Sequence, residues 1–284
     1  MVILCVHIPI RSSGNGSKNY KAVVQQLLKF GEVHVLSGHH HGVYNHIAQS
    51  DKTVTGKIFY DHNQIAAAGA WWQSNLNPDG SPNGYMIYDI SGNTLRNHTL
   101  KGTNLSSGYQ MRVYDGGESF TVPVGDKEWL DNAYNYTLRA SWTDNLSADL
   151  AGKFVVHVFN ADVRDWNVYF VQNGVRTEMT RTTDKWYDVA SYAYAGFYTD
   201  WSGGGKNRYS TSVENTNFWY IDAPSGSPSK ESGWRIEAEH TYEGRKMVYT
   251  ADRIHTKYAG FAPEDFTGKT SLEDMTEVEY EFTY

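Results

Sequence analysis

From Met111 onward the sequence never holds one apolar pattern long enough for a helix of ordinary length. Short apolar runs recur instead: Met111–Tyr114, Ser119–Val124, Lys153–Phe159, Asn167–Val171, Asn217–Ile221, Gly233–Glu239 and Arg245–Ala251. Gly, Asn, Asp, Pro or Ser cut off each one. Runs of this size bounded by turn formers predict strands, and many such strands without intervening helices predict an antiparallel sandwich. The 26 Gly, 21 Tyr and 9 Trp suit a β-rich chain with many turns. Leu130–Ala140 fits a strand or a short helix. Residues 222–233 carry too much Pro and Gly for regular structure and predict a polar loop. The stretch after Pro263 is acidic, a loose tail or an edge strand.

The first hundred residues read differently, as α/β. The run Val2–Val6 predicts a buried strand, and Arg11–Gly16 a loop. Ser17 is placed to cap a helix reaching Phe30, with Tyr20, Val23, Val24, Leu27 and Leu28 as its apolar stripe and Gly31 as its stop. Val33–Leu36 predicts a second strand, so residues 1–36 form a βαβ unit, right-handed by default. Lys57–Tyr60 and Tyr85–Ile90 predict further strands, and Ser91-Gly92-Asn93 turns the second into a hairpin. The expected fold class is therefore α/β plus all-β, divided into residues 1–108, 109–262 and an acidic tail, 263–284.

Charge and cysteine content narrow the function. A net charge of -7 and a pI near 5.9 leave no basic footprint for nucleic acid. No apolar run reaches the roughly 18 residues of a membrane span. Cys5 is the single cysteine, so no disulfide can form within the chain, and its apolar setting predicts a small buried side chain. Met1 runs straight into a core-like strand with no leader, which reads as a break inside a domain, and the localisation stays open.

Two short signals carry chemistry. Val-His7-Ile-Pro9 follows the first apolar run and Gly38-His39-His40-His41 follows the second. Parallel sheets bind ligands at the carboxyl ends of their strands. A histidine at each of two neighbouring strand ends is thus a candidate metal site. His34 lies within a strand and reads as structural.

On these residues the chain resembles the calcineurin-like metallophosphoesterases, in their carboxyl-terminal part. The resemblance extends through Asp61-His62-Asn63, Gly69-Ala70-Trp71-Trp72 and Asp79-Gly80-Ser81-Pro82-Asn83-Gly84-Tyr85, then Phe218-Trp219-Tyr220 and Gly233-Trp234-Arg235-Ile236. It implies the second half of a phosphoesterase α/β sandwich followed by a β-sandwich-like domain. It also implies a phosphate ester substrate and a pair of divalent ions, Mn, Fe or Zn, which activate a bridging water. His7 and His39 match ligands of one ion and His41 a ligand of the other, while His40 is a variable position. His62, Asn63, Trp72 and Tyr85 are candidates to line the substrate cleft. The family's Asp-x-His, bridging Gly-Asp and Gly-Asn-His-Asp/Glu motifs do not precede His7. Gly125-Asp126 comes after the histidines, and Gly14-Asn15 is followed by Gly16. Three imidazoles without a bridging carboxylate imply no metal, or one weakly held ion, and background activity for the chain by itself. A complementing amino-terminal half or self-association would supply partners. The other reading is a binding or structural β-sandwich for a glycan or surface partner, with a vestigial phosphoesterase half. The aromatics Trp166, Trp186, Trp201, Trp219 and Trp234 are expected in the core rather than on a sugar platform.

Overall fold

The first apolar run forms β1 (Val2–Cys5), and the amphipathic segment after it forms α1 (Tyr20–Leu27). These come from a computed structural model that describes residues 1–10, 19–69, 76–123, 137–140, 142, 149–162, 165–193 and 212–256. Asn19 is the N-cap, without a side-chain capping bond; Ser17, the predicted cap, lies outside the described residues. The helix stops at Leu28, before the predicted Phe30, and Gly31 sits in the turn beyond, where its carbonyl accepts the Thr53 hydroxyl at 2.9 Å. Val24 and Leu27 pack on Val33, Val35 and Phe59, with Val2 and Leu4 alongside. In β1 the even-numbered residues therefore face the helix, and Cys5 falls on the other side. It is exposed, contrary to the buried position expected from its apolar neighbours.

The next strands are β2 (Val33–Ser37), β3 (Tyr44–Lys52) and β4 (Ile58–Asn63), in one sheet of order β1-β2-β4-β3. β1, β2 and β4 run parallel, and β3 returns antiparallel to β4 with a register shift between Ala48 and Lys52. Nothing in the sequence marked β3. Its residues, Tyr-Asn-His-Ile-Ala-Gln-Ser-Asp-Lys, follow no apolar alternation, and only pairing at the sheet edge makes them a strand. The predicted hairpin is present as β5 (Gly84–Ser91) and β6 (Thr94–Gly102), turning at Gly92 with φ of 59°.

Most of the remaining strands follow the predicted runs: β7 (Met111–Asp115), β8 (Phe120–Pro123), β9 (Thr137–Ala140), β10 (Lys153–Val158) and β11 (Trp166–Gln172). Then come β12 (Val175–Glu178) and β13 (Thr180–Arg181), which no predicted run covers, and β14 (Phe218–Asp222), β15 (Trp234–Tyr242) and β16 (Arg245–Ala251), which follow theirs. Among the described residues strand far outweighs helix, as a β-rich chain requires. β8 pairs with β9, so the described part of Leu130–Ala140 is strand. The polar loop at 222–233 holds one short 3-10 turn, Pro228–Lys230.

Two four-stranded antiparallel sheets dominate, β13-β14-β10-β7 and β12-β11-β15-β16. Val113, Phe154, Val156 and Trp219 of the first share a core with Trp166, Val168, Phe170 and Ile236 of the second. The opposite face of the first sheet is buried too: Tyr114, Val155 and Phe218 pack with Leu76, Phe120, Trp142 and Val189. That explains why β7 and β10 are buried along almost their whole length, with even Arg112, Asp115 and His157 out of solvent. Leu76 joins this cluster from ahead of β5, and Val43, Ile65 and Leu100 join Phe159 in another, so the cores bridge residues on both sides of position 108. Trp186 and Trp234 pack against the cores, and Trp201 lies outside the described residues. The acidic tail, 263–284, also lies outside them.

Candidate functional site

β1 and β2 are neighbours in register, Cys5 opposite Leu36, so the chain leaves both at the same end of the sheet. This brings His7 and His39 together: His39 Nδ1 lies 3.1 Å from His7 Nε2, with the rings nearly perpendicular at 84°. The backbone reinforces the pairing, since the Gly38 N–H donates to the His7 carbonyl at 3.0 Å. His39 and His41 both adopt left-handed backbone, with φ of 73° and 52°. Side-chain-bearing residues rarely take that conformation unless the surroundings impose it, and such strain collects at functional sites. His41 Nδ1 meets the Gly69 carbonyl at 3.2 Å. A carbonyl only accepts, so His41 donates from Nδ1, and in the neutral ring Nε2 is then the nitrogen that can ligate. Burial, followed by the neighbouring His39 and His41, holds the His40 imidazole below its usual range.

Two nitrogens on one tetrahedral ion at about 2.05 Å would stand about 3.3 Å apart, so the His7–His39 pair matches one edge of a coordination shell. It goes no further. Among the described residues no group of three or more His, Cys, Asp or Glu side chains is placed to hold an ion. These imidazoles alone do not fit a divalent pair, which needs bridging negative charge.

The other candidates are placed separately. Asn63 ends β4, is buried, and donates its side-chain N–H to the Gly42 carbonyl, tying down the loop that carries the histidines. Tyr85 is exposed on β5, and Trp72 lies outside the described residues. His62 is buried in a row of four imidazoles that sequence reasoning missed. His34 of β2, His62 of β4, His98 of β6 and His240 of β15 follow one another with ring centroids 5.5, 5.0 and 5.2 Å apart. His34 Nε2 bonds Glu32 at 2.9 Å and His34 Nδ1 faces His62 Nε2 at 3.2 Å. Burial pushes the Glu32 carboxyl up, but bonds from Lys57, the Leu95 N–H and His34 outweigh it and hold the group low. Ionised Glu32 then accepts a hydrogen bond from the Nε2–H of His34, whose Nδ1 accepts one from the Nε2–H of His62. Burial lowers all four imidazoles, His98 to about 4 and His240 to about 3. No sequence signal marks this row, because its members come from four strands far apart in the chain.

A second buried network lies inside the β-rich part. Arg112 reaches Asp188 at 3.4 Å, while Tyr114 OH and His157 Nδ1 bond the other Asp188 oxygen at 2.7 and 2.8 Å. Burial pushes Asp188 up, but Arg112 and His157 together pull it below the ordinary carboxylate range.

The family model for the C-terminal region of calcineurin-like phosphoesterases (MetallophosC) matches residues 61–245, beginning beyond the histidine loop. No curated protein matches, and neither does any solved structure. The matched stretch runs from Asp61 in β4 through the first large sheet and β11, β12 and β15 of the second, to the first residue of β16. The chain thus belongs to the calcineurin-like phosphoesterase C-terminal family.

Proposed function

We propose that this chain is the carboxyl-terminal portion of a metal-dependent phosphate ester hydrolase. Residues 1–108 contribute the second half of the α/β catalytic sandwich, 109–262 a β-sandwich that supports it, and 263–284 a tail. His7 and His39 are ligands of one divalent ion, His41 of a second, and the carboxylates that complete the centre come from another segment or chain. Trp72 and Tyr85 belong to the walls of the cleft, with the buried His62 and Asn63 behind them, Asn63 holding the histidine loop in place. The observation that supports this most is the His7–His39 contact at neighbouring strand ends, together with left-handed backbone at His39 and His41. Bound metal would polarise the ester and supply the attacking hydroxide.

On its own the chain holds one ion weakly, at the His7–His39 pair. Ring nitrogen signals of 15N-histidine-labelled protein, followed during Zn2+ titration, test this. The His7 and His39 signals move and the buried His98 and His240 signals do not, and His39→Ala abolishes the response. His7 and His39 signals indifferent to millimolar Zn2+ would overturn the ligand assignment. Phosphodiester and phosphomonoester hydrolysis by the chain stays at background with added Mn, Zn, Ni or Fe. Metal-dependent turnover lost in His39→Ala would show that no further ligands are needed.

A further inference from the structure

The turn at Pro78–Ser81 lies in neither the histidine loop nor the β-rich sheets, yet it is bonded to both. The Asp79 carboxylate is buried, and its Oδ2 accepts the Val43 N–H at 2.7 Å, immediately after the histidine loop. Its Oδ1 accepts the Ser81 N–H at 3.0 Å and the Ser81 hydroxyl at 2.6 Å, which fixes the carboxylate plane. The fit against the loop is close: a Cβ on Gly42 would stand 3.1 Å from Asp79 Cγ.

The opposite side of the turn is held by the β-rich part. The Pro78 carbonyl accepts the Ser191 hydroxyl at 2.6 Å and the Val213 N–H at 2.8 Å. The Asp79 carbonyl accepts the Asn215 side-chain amide at 3.1 Å, and the Gly80 carbonyl accepts Arg112 Nη1 at 2.9 Å. Arg112 is itself anchored on Asp188, whose Oδ1 also takes the Ala190 and Ser191 N–H groups at 3.0 Å. A continuous path of buried bonds thus runs from the β-rich sheets through Asp79 to the backbone beside His41. A turn bonded only to its own neighbours would need none of these distant partners.

We infer that Asp79 is a positioning residue for the histidine loop, and that the β-rich part sets the loop's conformation through the Pro78–Ser81 turn. This rests on the reading of His39 and His41 as site residues, but its test needs no metal. The probe is the ring and backbone NMR of the full chain, labelled with 15N-histidine and free of metal. In Asp79→Ala, the His39 and His41 ring signals and the Val43 N–H shift, while His98 and His240, in the row of buried imidazoles, stay in place. Asp79→Asn keeps one accepting oxygen where the carboxylate has two, so it restores the wild-type positions only in part. A merely structural aspartate would lower the unfolding temperature without moving the His39 and His41 signals of the folded protein. Ser191→Ala leaves Asp79 intact and removes one bond from the far side, so it is informative even where Asp79→Ala does not fold. It moves the same loop signals by a smaller amount. Unchanged His39 and His41 signals in a folded Asp79→Ala, or in Ser191→Ala if the former does not fold, overturn the proposal. The separate Zn2+ titration of the wild type reports on the ligand assignment, so the two ideas fail independently.

Discussion

Gly80 has the least freedom of any residue in the turn. A Cβ there would stand 2.2 Å from the Asp188 Cβ, and its φ of 90° is left-handed. Gly80→Ala must displace Asp188 from its partners, at a cost of about 3 kcal/mol in urea unfolding. A change of stability under about 1 kcal/mol would mean that the turn can relax away from Asp188. Asp188 is more costly to lose. Asp188→Ala leaves the Arg112 guanidinium buried beside no carboxylate, and breaking a buried pair in this way costs about 3–5 kcal/mol. The four buried imidazoles give the protein a pH dependence of definite sign. Each titrates below its ordinary value when folded, so between pH 6.5 and the folded values, about 4 for His98 and about 3 for His240, the unfolded chain binds more protons. Stability is full above pH 6.5 and falls as the pH drops, by up to about 1.4 kcal/mol per pH unit for each group. The groups packed around the row are Glu32, Lys57, Asp162, Tyr60, Tyr88 and Tyr242. Glu32 acts in the same direction: its carboxyl is held low in the folded protein, so below its ordinary range it too binds fewer protons folded than unfolded and adds to the fall. Denaturant midpoints at pH 7.5 and 5, for wild type and His98→Leu, check the assignment. A pH slope unchanged by the substitution would place the titration elsewhere.

At the scale of elements, what the sequence revealed depended on where each element's partners lie. β1, β2, α1, β7, β10, β11 and β14 to β16 were legible because their own residues carry the pattern: apolar runs or a helical stripe, closed by turn formers. β3 was not, because its strand conformation comes from pairing with β4 rather than from its own composition. The meeting of His7 and His39 was legible from strand order alone, since parallel neighbours end side by side. The role of Asp79 was not. Its amide partner is 36 residues away, and the residues that hold its turn come from beyond residue 110. Cys5 was misread because an apolar run says nothing about which face of an edge strand is covered. The helix gives a direct check on packing: Leu27→Ala removes a buried side chain from between α1 and Val33, Val35 and Phe59. The expected loss is about 2–3 kcal/mol, read from thermal unfolding.

For the whole molecule, the sheet that carries the histidines ends in β1, whose only strand partner among the described residues is β2. An outer strand of Val-Ile-Leu-Cys with open backbone groups invites pairing with another chain. Light scattering over a range of concentrations is expected to show association, reduced when Ile3→Lys places a charge on that strand. A strictly monomeric protein at all concentrations would contradict this.

The shared cores that bridge position 108 also limit how such a gene can be rearranged. Leu76 and the Pro78–Ser81 turn are encoded ahead of the β-rich strands but packed among them. A recombination event between residues 84 and 111 would pair this turn with foreign sheets. The descendant would inherit Gly80 without the arginine that grips its carbonyl, and Leu76 without its aromatic neighbours. Successful exchanges between relatives should therefore carry residues 76–251 as one block, with their junctions falling ahead of Leu76 rather than at the apparent change from α/β to β-rich sequence.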